Sequence, residues 1–86
     1  MYYTYIAKCA DNSLYCGYTD NIENRERMHN LGKGAKYTRS RLPLKIVYYE
    51  EFETKSEALK REYAIKKLTR RKKLELIKLE TSLVVS

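Results

Sequence analysis

Aromatic, β-branched and aliphatic residues crowd the first nine positions, densest at Tyr2-Tyr3-Thr4-Tyr5-Ile6, and the stretch reads as a β-strand ending at Cys9. Ala10-Asp11-Asn12-Ser13 breaks that pattern with side chains that bond their own backbone, and Asn also tolerates positive φ, so a hairpin turn is predicted there. Leu14 to Tyr18 returns as a second strand. Gly17 inside it implies a bulge or a close approach by another group, such as a ligand.

The period then becomes helical. Asp20 stands where an N-cap belongs and Glu23 follows three residues later, a variant of the capping box, so a helix is expected from about Asn21 to Leu31. Gly32 suits the left-handed position that ends such a helix. On a 3.6-residue repeat Ile22, Arg25, Glu26 and His29 share one face, so an arginine and a histidine point where an apolar residue points, toward the sheet. An ordinary solvated pair on a small helix accounts for Arg25 and His29 equally well unless other polar residues converge on them.

Gly32 to Arg41 reads as a loop with two glycines, four cations, a tyrosine and two hydroxyls. Lys33, Lys36, Arg39 and Arg41 can neutralise phosphates, Tyr37 can stack on a base, and the glycines let backbone approach a partner. A flexible solvated connection is the plainer alternative. Pro43 closes the loop, and Leu44 to Phe52 forms a third strand too continuously apolar to lie open to water.

Thr54 with Glu57, or Ser56 alone, can cap a helix that runs to about Leu68. Ala58, Leu59 and Ile65 define its apolar stripe, and Glu62 falls inside the stripe. A carboxylate there costs several kcal/mol unless it is paired or holds a metal. The two readings are a structural ion pair, with Arg25 the candidate partner, and a metal ligand. Thr69 can cap a last helix whose Leu74 and Ile77 turn inward, and the tail over residues 81–86 is expected to fray. Lys66, Lys67, Arg70, Arg71, Lys72 and Lys73 cluster at the helix junction, either as a nucleic-acid contact or as a solubilising face.

Length limits the chain to one domain, taken as residues 1–80, with a core that is only marginally stabilising at this size. The 18 Lys and Arg against 11 Asp and Glu leave a formal charge of +7, and a phosphate-rich partner is the natural inference. No apolar run is long enough to span a bilayer and no charged-then-apolar leader is present, so a soluble, cytoplasmic protein without a membrane partner is expected. Cys9 and Cys16 are too few for a metal cluster, and if Tyr5 and Tyr15 face the same side, strand alternation puts Cys9 on that side and Cys16 on the other, which argues against a disulfide.

The predicted class is α/β, a three-stranded, mainly antiparallel sheet flanked by helices in the order β-β-α-β-α-α. Tyr5, Tyr15, Arg25, His29 and Glu62 are the polar residues able to converge. This order and these spacings resemble the GIY-YIG nuclease superfamily over roughly residues 2 to 77. Tyr3-Thr4-Tyr5 corresponds to the first motif and Tyr15-Cys16-Gly17 to the second, with Tyr3 in place of a glycine and Cys16 in place of an isoleucine. Arg25 follows ten residues after Tyr15, His29 four later, and Glu62 opens E-Y-A-I-K. Y-C-G-Y-T with R-x-x-x-H-N and G-K-G-A looks especially like the small stand-alone bacterial members and the eukaryotic nucleases that cut branched DNA. The asparagine that characterised members carry beyond the glutamate has no counterpart among residues 63–86.

The resemblance implies a metal-dependent endonuclease hydrolysing phosphodiester bonds in nicked, branched or damaged DNA, as in DNA repair. One Mg²⁺ or Mn²⁺ would be held by Glu62, since such an ion keeps several waters and needs few protein ligands. Arg25 would bind a phosphate oxygen, Tyr15 would help deprotonate the attacking water with Tyr5 as its hydrogen-bonding neighbour, and His29 would accept that proton or orient the water. A tyrosine of pKa about 10 is a weak base at neutral pH, so neighbouring cations would have to lower it. Two alternatives of other kinds stand beside this: a nucleic-acid-binding module that has kept the fold without turnover, and a small adaptor whose tyrosines form a protein interface. Without a second domain, targeting would fall to partner proteins.

Overall fold

The computed structural model describes the backbone of residues 1–85 and the side chains of residues 1–79. Three strands, β1 (Tyr2–Lys8), β2 (Leu14–Thr19) and β3 (Lys45–Phe52), form one antiparallel sheet in the order β2-β1-β3. Helix α1 (Ile22–Asn30) and the single turn α2 (Lys36–Arg39) separate β2 from β3, and α3 (Lys55–Lys66) and α4 (Arg70–Val85) follow β3. The predicted order holds. The segment read as a plain loop contains the turn α2. The tail expected to fray over 81–86 falls on positions whose side chains, and the whole of Ser86, lie outside the described residues.

The hairpin turn forms as its residues dictate. Asn12 takes φ 68°, and the Asp11 carboxylate accepts from the Ser13 amide at 3.0 Å. Pairing of Tyr5 with Gly17 and Ala7 with Tyr15 runs without a break through β2. The irregularity predicted at Gly17 lies instead between β1 and β3, where the register shifts between Ile6 and Ala7.

Two-residue alternation divides the core between the faces of β1. Tyr5, Ala7 and Cys9 pack with Leu44, Ile22, Leu42 and Ile46 on the α1 side. Ile6 packs with Cys16, Ile65, Leu68, Leu76 and Ile77 on the α3 and α4 side. The two buried thiols therefore stay free, one in each layer. Burial is narrower than the sequence stripes suggest. In α3, Ala58 and Ile65 are fully buried but Leu59 faces water, and in α4 it is Leu76 with Ile77, not Leu74, that turns inward. Ala58, Glu62 and Ile65 follow the 3.6-residue repeat, and Leu59 falls one step off it.

Polar bonds fix the helices on the sheet. The Thr4 hydroxyl donates to the Ala58 carbonyl at 2.6 Å. Arg61 holds Glu50 of β3 with two nitrogens, at 2.8 and 3.0 Å. Thr54 caps α3, accepting from the Glu57 amide and donating to its carboxylate, and Thr69 caps α4 through the Lys72 amide. Helix α3 ends at Lys66, two residues short of the predicted Leu68.

Candidate active site

The site is built at the β2 edge of the sheet, and α1 supplies half of it. Helix α1 starts one residue later than predicted. Asn21, extended at φ −152°, accepts from the Asn24 amide at 3.0 Å, so Asn21 is the N-cap and Asp20 is left exposed in front of it. At the far end Gly32 has φ 78°, as its place after the helix requires. The face predicted from the repeat is the face that lies on the sheet. Glu26 accepts from the Ile46 amide at 2.7 Å, and the Asn30 side chain bonds both the amide and the carbonyl of Leu44, at 2.8 and 3.0 Å. These two residues stitch α1 to the start of β3 and so aim Arg25 and His29, which lie one position before each of them, at Tyr5.

Tyr5 is the hub. It is fully buried; its hydroxyl lies 2.8 Å from His29 Nε2 and accepts from Arg25 Nε at a longer 3.4 Å. The Tyr15 ring packs against both partners, 6.3 Å from the Tyr5 centroid and 5.5 Å from His29. Gly17 explains how the hub fits. A Cβ there would sit 2.7 Å from the Tyr5 hydroxyl and 3.1 Å from Tyr15, so the close approach inferred at this glycine is made by the protein's own tyrosines.

The electrostatics separate the roles of these groups. Burial pushes the Tyr5 phenol up to about 12, even though the Arg25 guanidinium pulls the other way, so Tyr5 stays protonated at neutral pH. Burial, with the Arg25 charge nearby, holds the His29 imidazole below its ordinary value, so it is neutral. Arg25 stays charged, because the hydroxyls of Tyr5 and Tyr15 favour its cation over the desolvation that opposes it. His29 has no exposed surface and both ring nitrogens are bonded, Nδ1 to Thr38 Oγ1 at 3.0 Å. The ring therefore faces only protein groups, among them Tyr5, Tyr15 and Thr38.

Glu62 lies on α3, which packs on the face of the sheet opposite to Tyr5. The Cys16 thiol donates to the Glu62 carbonyl at 3.8 Å, which sets this turn of α3 beside the strand residue between Tyr15 and Gly17. The Glu62 side chain is 16% exposed and its carboxylate pairs with Lys66 at 3.1 Å. The expected partner, Arg25, is engaged with Tyr5 instead. No cluster of three or more metal-ligating side chains exists among the described residues. Glu62 is a single, partly exposed carboxylate, the donor type that a hard cation retaining its waters would take.

Beside Arg25 a cleft of about 510 Å³ opens, lined by Tyr2, Tyr18, Thr19, Asp20, Arg25 and Lys55. On the other flank Tyr37 stacks on Tyr15, with ring centroids 6.1 Å apart, and Arg41 covers the outer face of Tyr37 at 4.0 Å. Arg41 also pairs with Asp11 at 3.1 Å and donates to the Tyr37 carbonyl at 2.7 Å, so this cation is committed within the protein. Lys33, Lys36 and Arg39 are exposed around α2; Lys66, Lys67, Arg70, Arg71 and Lys72 are exposed at the α3–α4 junction, and Lys73 is half-buried.

Residues 1–75 match the GIY-YIG catalytic domain. The chain belongs to the GIY-YIG family. It is 62% identical over 77 residues to a UPF0213 protein of Clostridium perfringens, covering 90% of this chain and 83% of that one. A UPF0213 protein of Staphylococcus haemolyticus is 58% identical over 76 residues, covering 88% and 93%. Among solved structures, the UPF0213 protein of Bacillus halodurans is similar with TM-score 0.58 and 48% identity, over 92% of this chain and 85% of that one. A protein of E. faecalis is similar with TM-score 0.59 and 42% identity, over 99% and 88%. The GIY-YIG fold thus brings the two motif tyrosines, Arg25 and His29 into one contiguous group. No described helix is long and apolar enough to cross a membrane.

Several contributors had no clear signal in the sequence. Thr38 looked like one more loop hydroxyl, Asn30 like a polar group at the helix end, and Lys66 like part of a basic patch, while Glu26 was placed on the inward face without its partner, the Ile46 amide. A pairing with Glu62 was readable for Lys66 alone, from its position one turn later on the same helix.

Proposed function

We propose that the protein is a metal-dependent endonuclease that hydrolyses phosphodiester bonds in nicked, branched or damaged DNA. The observation that carries this reading is the Arg25 guanidinium, held beside the hydroxyls of two tyrosines and bordering an open cleft. A fixed planar cation at a partly desolvated edge is suited to a phosphate oxygen on which charge grows as the phosphate becomes five-coordinate. Glu62 would hold the divalent ion, Mg²⁺ or Mn²⁺, which when bound supplies neutralisation of the scissile phosphate and of the leaving oxygen.

The chain's own groups divide the remaining work. Arg25 binds and orients the phosphate. Tyr5, kept protonated, is bonded to His29 and holds Arg25 in place, so it is not the base. Tyr15, whose ring packs against Tyr5 and His29, is left as the group that orients the attacking water and, as phenolate once its own proton has passed to solvent, takes the water's proton. Exposed cations on the α2 loop and at the α3–α4 junction supply affinity for the backbone of the DNA.

The rival reading is a DNA-binding module without turnover. It draws on the Lys66–Glu62 pair, in which the carboxylate is already neutralised, and on the missing asparagine. Incubation of the protein with a panel of supercoiled, nicked and branched DNA separates the two. Cleavage that appears with Mg²⁺ or Mn²⁺ and vanishes with chelator supports the nuclease. Binding to the panel with no cleavage under either ion favours the module.

A further inference from the structure

The hydroxyl of Thr38 settles a question of proton placement at the centre of the site. Thr38 Oγ1 lies 2.9 Å from the Ala35 carbonyl and 3.0 Å from His29 Nδ1. A carbonyl can only accept, so the one hydroxyl proton of Thr38 goes to Ala35. The bond to His29 must then be donated by the ring, which puts the imidazole proton on Nδ1. In a neutral imidazole Nε2 is left as an acceptor. The Tyr5 hydroxyl, 2.8 Å away, must therefore spend its proton on Nε2, and its oxygen is left to accept from Arg25 Nε. Every bond in the series from Arg25 through Tyr5, His29 and Thr38 to Ala35 then has one direction.

The α2 segment is shaped to hold this arrangement. Thr38 and His29 are both without exposed surface. A Cβ at Gly34 would overlap the His29 ring, with Cγ at 2.7 Å and Cε1 at 2.8 Å, so backbone lies directly on the imidazole.

From this we infer that Thr38 is a positioning residue for the site: it fixes the His29 tautomer and, through it, the direction of the Tyr5 hydroxyl and the seat of Arg25. The segment read from the sequence only as a phosphate-contacting loop has this second task, with its exposed cations turned outward and its threonine inward. The catalytic consequence rests on the nuclease reading; the tautomer does not.

The protein has a single histidine, so the ring can be read without assignment. Long-range ¹H–¹⁵N spectra of ¹⁵N-labelled protein near pH 8 should give a pyrrole-type Nδ1 and a pyridine-type Nε2. Thr38→Val should lose that pattern, with protonation shared between the nitrogens or moved to Nε2, and Thr38→Ser should restore it. In the cleavage assay Thr38→Val should lower kcat by about ten- to a hundredfold with KM little changed, by analogy with the loss of the outer hydrogen-bond partner of a metal-ligating imidazole. Thr38→Ser should recover most of the rate. An Nε2-protonated ring in the wild type overturns the inference, whether or not Thr38→Val folds. So does a Thr38→Val protein that keeps both the wild-type spectrum and the wild-type kcat. Failure of the wild type to cut any DNA leaves the spectra to decide the tautomer and counts against the nuclease reading alone.

Discussion

Tyr5 and His29 are joined by a 2.8 Å bond between two side chains that have no exposed surface, so neither group can take up charge without burying it. For His29 the consequence is a dependence of stability on pH. Burial first, and the Arg25 cation second, hold its folded value below the ordinary 6.5. Above pH 6.5 the ring is neutral in both states and contributes nothing to the pH dependence. As the pH falls past 6.5 the unfolded chain takes a proton that the folded chain does not, so stability is lost until the folded value is reached and then levels off. The melting temperature should therefore fall between pH 7 and about 5, before most carboxylates titrate. His29→Gln should melt lower at pH 7 but show a flatter response over this range. Parallel pH profiles for the two proteins would refute the assignment.

Gly17 is held to glycine by Tyr5. Gly17→Ala would set a methyl 2.7 Å from the Tyr5 hydroxyl and 2.8 Å from its ring carbon Cζ, in a layer where Tyr5 is already pinned by His29 and Arg25. Neither side chain is the free end of a flexible chain, so the strand or the tyrosine must shift, at about 1–3 kcal/mol. Denaturant unfolding of Gly17→Ala should report that loss, and cleavage should fall because Arg25 loses its seat. Full stability in the alanine variant would show that the hub is looser than the distances state.

How much of this was legible in the sequence follows from which physical rules are local. The strand and helix order, the opposite facing of Cys9 and Cys16, and the inward face of Ile22, Arg25, Glu26 and His29 are consequences of periods of 2 and 3.6, which a sequence displays directly. Convergence of Tyr5, Tyr15, Arg25 and His29 was legible too, once the strand pairing was assumed. Leu59 and Leu74 were misplaced because the stripes were drawn wider than the narrow seam along which α3 and α4 meet a three-stranded sheet. The pairing of Thr38 with His29 was missed for another reason, that many partners lie within sequence reach and only packing selects one, whereas that of Glu62 with Lys66 follows from local i, i+4 spacing and was passed over in favour of Arg25.

The exposed cations at α2 and at the α3–α4 junction should carry DNA affinity without carrying chemistry. Lys33, Lys36, Arg70, Arg71 and Lys72 are open to solvent, and Lys73 is half-buried beside them. Neutralising all six together should weaken binding at low salt and flatten the plot of log K against log salt, by about 0.9 for each phosphate that no longer meets a cation. Arg41 should matter less to binding, since Asp11 and Tyr37 already occupy it. An unchanged salt slope in the six-fold variant would mean that DNA binds elsewhere on the molecule.

Glu62 gives the sharpest separation of nuclease from binding module. Its carboxylate pairs with Lys66, which is half exposed, and not with Arg25, so removing the charge leaves no buried cation without a partner. Glu62→Gln should thus cost about 1 kcal/mol or less, the scale of a solvent-screened pair, and the fold should persist. Cleavage should be abolished, while DNA binding holds or strengthens slightly as one negative charge leaves a basic surface. An ion that binds only the folded state raises the melting temperature, so Mn²⁺ should shift the wild type and leave Glu62→Gln unmoved. If instead Mn²⁺ shifts neither protein and Glu62→Gln melts far below the wild type, Glu62 is a structural residue, and the basic surface rather than the tyrosine–arginine site is what the molecule uses on DNA.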